Sequence, residues 1–159
     1  MFGRALTQAC RGLALAGGAV LLAIVGLTVV SIALRELTGQ PVPGDYELVE
    51  VGCAIAVFAF LPYCQLIGGN VFVEFAMAWA PLWLRLWLDA LAQMAYASIA
   101  ALLAWRLTLG GLDLHAYDET TMVLGMPVWP IFLPIVPSLA LLSIVCLYTT
   151  AMSLRKARA

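Results

Sequence analysis

The side chains able to do chemistry are few and scattered. The only histidine, His115, sits in Asp113-Leu114-His115-Ala116-Tyr117-Asp118-Glu119, a run whose acids could hold a cation weakly. A membrane cytochrome takes axial histidines from inside its helix bundle, and a lone histidine in a loop serves haem poorly. Cys10, Cys53, Cys64 and Cys146 form no C-x-x-C pair and show no metal-ligand spacing, so they read as small apolar residues. Ser98, Ser138 and Ser143 have no neighbouring base, which leaves nucleophilic catalysis without support. One polar series stands apart: Arg85, Asp89 and Gln93 recur at i, i+4 on one helix face, and Tyr96 follows. It can be a local ion pair with headgroup contacts, a polar stripe facing another helix bundle, or an ion path. No enzyme and no cofactor site is expected from these residues.

The elements that must carry them are long apolar runs. Leu13–Leu34, Val51–Ile67 and Ile131–Met152 hold no charge, and Leu86–Leu103 holds only Asp89. Crossing ~30 Å of hydrocarbon takes about 20 helical residues. Hydrophobic residues make up 64% of the chain and charged ones 11%, against roughly a quarter charged in a soluble domain. The expected fold is an all-α integral membrane domain over 1–159, with spans near 13–34, 48–67, 82–107 and 128–152. Leu13–Leu34 exceeds the ~7–15 residues of a signal peptide's apolar core, so the first run is read as a retained span although Ser31-Ile32-Ala33 resembles a cleavage site.

Charge sets the orientation. Arg4, Arg11, Arg85, Arg155, Lys156 and Arg158 fall on one side, leaving Arg35 and Arg106, of 8 Lys and Arg in all, on the other. Positive residues stay in the cytoplasm, so both termini are expected there. Glu36, Asp45, Glu47, Glu50, Asp113, Asp118 and Glu119 favour the outer side.

Punctuation along the chain refines the spans. Thr38-Gly39 stops the first helix, Pro41-Val42-Pro43-Gly44 turns, and Asp45, Glu47 and Glu50 open the second where acids suit the helix dipole. Arg35 can answer the dipole and these acids, or contact a partner. Gly68-Gly69-Asn70 ends the second span. Val71–Pro81, with Glu74 among Phe72, Phe75, Met77 and Trp79, reads as a short segment lying in the interface. Gly110-Gly111 is expected to close the third span. Pro134 and Pro137 imply that the fourth starts late or kinks. Gly12/Ala16, Ala14/Gly18 and Gly52/Ala56 are spaced for close helix approach, as are Ala92, Ala95, Ala97, Ala100, Ala101 and Ala104. These small residues exceed what one compact bundle needs, which favours a partner.

In order and spacing these motifs resemble a known family. Arg35-Glu36-Leu37-Thr38-Gly39 with Gly44-Asp45-Tyr46-Glu47-Leu48-Val49-Glu50 is similar to the first outer loop of the DctQ-type small membrane subunit of tripartite ATP-independent periplasmic (TRAP) transporters. Leu61-Pro62-Tyr63-Cys64-Gln65-Leu66-Ile67-Gly68-Gly69-Asn70-Val71-Phe72-Val73-Glu74 resembles its next block. Thr120-Thr121-Met122-Val123-Leu124-Gly125-Met126-Pro127-Val128-Trp129-Pro130 resembles its approach to the fourth span. Asn70 stands where the family often has histidine, so an imidazole role does not transfer, while Asn70 can still cap a following helix.

The resemblance implies a large DctM-type permease subunit as partner, carrying the substrate and sodium sites and moving as an elevator. It also implies a periplasmic binding protein that delivers an organic acid, and a static scaffold role for this chain in a bacterial inner membrane. Candidate contacts with a partner or with membrane lipids are Arg35, Asp45, Glu47, Glu50, Arg85, Asp89 and Gln93. No nucleic-acid partner is expected. The alternative is the membrane anchor of a redox complex, which predicts visible absorbance or quinone-dependent activity. A self-contained channel or transporter would need polar groups at mid-span that the runs lack.

Overall fold

The computed structural model describes residues 2–68 and 82–157, and of Phe2, 82–87, 89 and 152–157 the backbone alone. Four helices make up the described chain: α1 Phe2–Thr38, α2 Asp45–Leu66, α3 Leu82–Ala116 and α4 Phe132–Ala157. Each contains a stretch long and apolar enough to cross a membrane. The all-α membrane architecture with four spanning helices is therefore observed. The interfacial segment expected over Val71–Pro81, and Asn70, lie outside the described residues.

Hydroxyl groups inside these helices bond to the backbone one turn back, which meets their needs where no water is available. Thr28 donates to the Ile24 carbonyl at 2.8 Å, Thr108 to Ala104 at 2.7 Å and Thr150 to Cys146 at 2.8 Å. Two helices outrun their spans. α1 has 37 residues and α3 has 35, about 50–55 Å of helix against ~30 Å of hydrocarbon. The basic start before Leu13 is thus a helical continuation of α1.

α1 stops where expected. Gly39 takes φ +77, and its N–H donates to the Arg35 carbonyl at 2.9 Å, a left-handed glycine cap. The expected stop at Gly110-Gly111 is not used: α3 runs on to Ala116, which also places His115 in a helix and not in the loop. Packing explains the change. A Cβ on Gly111 would stand 3.2 Å from Phe132 Cβ and Cγ, so the missing side chain admits α4. The actual stop is Asp118, at φ 49, with the Glu119 N–H reaching the Leu114 carbonyl at 3.2 Å. Aspartate is one of the few residues besides glycine to adopt that conformation readily.

The proline cluster delays α4. Pro130 sits in a 3-10 turn, Trp129–Ile131, and the α-helix begins at Phe132. Pro134 falls in the first turn, where no backbone bond is lost. Pro137 lies inside, and the Ser138 hydroxyl donates to the Pro134 carbonyl at 2.6 Å. α2 also contains an internal proline, Pro62, fully buried.

The helices pack mainly as a row, in the order α1, α2, α4, α3. α1 and α3 occupy its edges without substantial contact with each other. Ala97 and Ala100 of α3 meet Ile135, Leu139, Leu142 and Cys146 of α4 in the main core, which Ala54, Phe58 and Leu61 of α2 complete. α1 joins α2 through Gly17, whose hypothetical Cβ would lie 2.8 Å from Ala59 Cβ. Near the N-terminus of α1, Leu6 and Cys10 pack with Val145 of α4.

Candidate functional site

Two arrangements stand out: a polar clasp at the end of the row where α1 stops and α2 begins, and the open faces of the row. The clasp begins at α2. Gly44 is the N-cap residue at φ 75 and contributes no side-chain cap. Asp45 fills both carboxylate oxygens nearby. Its Oδ1 accepts the Tyr46 N–H at 2.8 Å, and its Oδ2 accepts the buried Ser31 hydroxyl at 2.6 Å. Ser31 Oγ in turn accepts the Val42 N–H at 3.2 Å. Asp45 thus holds the α1–α2 turn against the end of α1.

Glu47 reaches the loop between α3 and α4. Its Oε1 accepts the Val123 N–H at 2.7 Å and its Oε2 the Leu124 N–H at 3.0 Å. Glu47 precedes the uncharged run of α2. Donation by the Val123 N–H, with further help from Leu124, Thr121 and Met122, holds its carboxyl below the usual carboxylate range. Hydrogen bonds to the charged form favour that form. The loop closes on itself as well: Thr121 N–H donates to the Met126 carbonyl at 2.9 Å, and Val128 N–H to Glu119 at 3.1 Å. Leu124 packs where a Gly44 side chain would otherwise be. Met122, at the tip, is 100% exposed. His115 packs against Trp129 with ring centroids 4.9 Å apart and planes tilted by 50°, tying the end of α3 to the segment that leads into α4.

The other positions singled out in the sequence are distributed differently. Arg35 and Glu50 are exposed, and Arg35 has no side-chain partner among the described residues. Gln93 faces α4: its Oε1 accepts the Thr149 hydroxyl at 2.7 Å and the Thr150 hydroxyl at 3.3 Å. The Ser143 hydroxyl donates to the Ala97 carbonyl at 3.2 Å along the same seam. The side chains of Arg85 and Asp89 lie outside the described residues. Sequence reading missed Ser31, Thr149 and the loop amides of Val123 and Leu124, because hydroxyls and backbone groups give no signal until the helices pair.

The small residues divide between the two uses open to them. Ala56 is fully buried and Gly52 meets Ile24, so that pair serves the α1–α2 contact. Gly12 and Gly18 face open space, and Ala16, Ala92, Ala95 and Ala101 are exposed. Large apolar side chains share those open faces, among them Leu22, 74% exposed, and Leu91 and Trp105 on α3. Among the described residues no three His, Cys, Asp or Glu side chains converge as a metal site. All four cysteines are free.

No curated protein and no solved structure matches the chain. The family model described as "Tripartite ATP-independent periplasmic transporters, DctQ component" matches residues 24–156, from the middle of α1 through nearly all of α4. A multi-pass chain with four spanning helices, matched over that extent, belongs to the DctQ family of small TRAP-transporter permease components.

Proposed function

We propose that this chain is the non-catalytic scaffold subunit of a sodium-coupled TRAP importer of organic acids. Its partner is a large DctM-type permease subunit that carries the substrate and sodium sites and moves against it, and a periplasmic binding protein delivers the solute. The chain itself holds no cofactor and no sodium. It sits in a bacterial inner membrane with both termini in the cytoplasm, an orientation supported by the inner bias of its basic residues.

The observation that carries this reading is the row of helices. A compact bundle turns its apolar surfaces inward, whereas here the edge helices leave broad uncharged faces open. Charged or strongly polar groups at mid-depth usually mark a passenger's path, and the described centres of α1, α2 and α4 carry no charge. Such a body suits bracing better than conduction.

The test is reconstitution. Liposomes with this chain alone should show no solute flux. Adding the large permease, the binding protein and an inward sodium gradient should give organic-acid uptake, and omitting this chain should abolish it. Flux through the chain alone, or full uptake without it, contradicts the scaffold reading.

A further inference from the structure

At the inner end of α1, Arg4, Thr7, Gln8 and Arg11 share one helix face and, with Gly3, line an open concavity of about 280 Å³. Packing from behind fixes that face: Leu6 and Cys10 are buried against Val145. Gly3 forms the margin nearest α4, with the Tyr148 hydroxyl 2.8 Å from where a Cβ would stand. Both arginines are exposed, and neither pairs with a described residue. Every described carboxylate side chain, from Glu36 to Glu119, lies at the opposite end of the helices. The concavity therefore presents two positive charges about 10 Å apart along the axis, with no described counter-charge.

The same face continues as an exposed apolar stripe. Leu15, Leu22, Val25 and Val29 follow Arg4 and Arg11 at helical spacing, each more than half exposed. From Arg11 to Leu22 is about 16 Å, half the ~30 Å hydrocarbon core and the depth of one acyl chain. A free phosphate would use only the cationic end. A molecule with an anionic head and an apolar tail fits the whole stripe.

We propose that this face of α1 is a binding site for an anionic phospholipid. The headgroup phosphate sits between Arg4 and Arg11 and takes hydrogen bonds from both guanidinium groups and from the Gln8 amide. Thr7 contributes no donor, because its hydroxyl donates to the Gly3 carbonyl at 2.8 Å. One acyl chain lies along Leu15 and Leu22. The site stands apart from the scaffold reading, since it needs only the inner leaflet and this helix.

Native mass spectrometry of the full-length chain, released from nanodiscs of equal phosphatidylglycerol and phosphatidylcholine, tests it. The wild type should retain phosphatidylglycerol over phosphatidylcholine by roughly tenfold or more. Arg4→Gln with Arg11→Gln should bring retention close to parity, and Arg4→Lys with Arg11→Lys should keep most of the preference. Arg155→Gln with Lys156→Gln should leave it unchanged. A photoreactive residue replacing Gln8 should crosslink to lipid in native membranes. Parity in the wild type, or an equal loss from the Arg155 and Lys156 pair, would overturn the site. Displacement of the lipid by millimolar inorganic phosphate would make it a free-anion site instead. A crosslink to polypeptide would assign the face to a protein partner.

Discussion

Glu47 and Gly44 act on the same loop by different means. Glu47 accepts two of its amides, while Gly44 leaves room for Leu124 and takes a φ of 75 that side chains resist. Glu47→Ala should therefore loosen the loop without unfolding the helices. Hydrogen exchange at Val123 and Leu124 should quicken by on the order of tenfold, with amides in α2 and α4 unchanged. The sign with pH follows from the lowered carboxyl pKa. The tie is fully present above the ordinary carboxylate range and is lost as pH falls through the depressed value. Exchange corrected for its intrinsic pH dependence should show that loosening in the wild type and none in the alanine variant. Arg35 gives a contrasting case, exposed and without a described partner. If it touches another subunit, Arg35→Glu should cut uptake several-fold while the chain still assembles. Unchanged uptake would leave it only the dipole of α1 to answer. The acidic start of α2 was legible in the sequence, whereas the separate duties of Asp45 and Glu47 were not. The amides that Glu47 serves are 76 and 77 residues away.

Among the helices, glycine and proline carried the most information and the most ambiguity. Gly39 ends α1 as its position after Thr38 suggested. Gly110-Gly111 gives the same local signal, but Phe132 packs against Gly111 and the helix continues. A glycine's freedom to stop a helix and its lack of bulk look identical in sequence, and only the neighbouring element decides between them. Gln93 shows the same limit. Its spacing from Asp89 left a local pair, a stripe facing another bundle and an ion path open, and it bonds Thr149 and Thr150 within the chain. Interhelical side-chain bonds in membranes average ~0.6 kcal/mol, with larger cases near ~1.7. Gln93→Leu should therefore lower stability by about 1 kcal/mol, measured as reversible unfolding in mixed micelles. Binding to the large permease should be unaffected. Loss of binding with stability intact would return Gln93 to the partner surface.

At the level of the molecule, four spans and an all-α membrane fold could be read from hydropathy alone, because the bilayer sets helix length so strictly. The order α1, α2, α4, α3 could not. It depends on which faces pair, and apolar side chains serve a lipid boundary and a helix contact equally well. The two edge helices keep most of their surface uncovered, so the scaffold reading carries a further expectation. The chain alone should melt at a lower temperature than the chain bound to the large permease, with the difference rising with permease concentration. Identical melting with and without it would argue that the open faces meet only lipid.

The row also bears on how the chain is made. Its neighbours along the sequence are neighbours in space twice over, α1 with α2 and α3 with α4, and one seam between α2 and α4 unites the pairs. Each pair can enter the bilayer as a hairpin soon after the ribosome releases it. The bonds from Glu47 to Val123 and Leu124 cross from the first hairpin to the second. They can form only after both have been inserted, which makes that contact a late step in biogenesis.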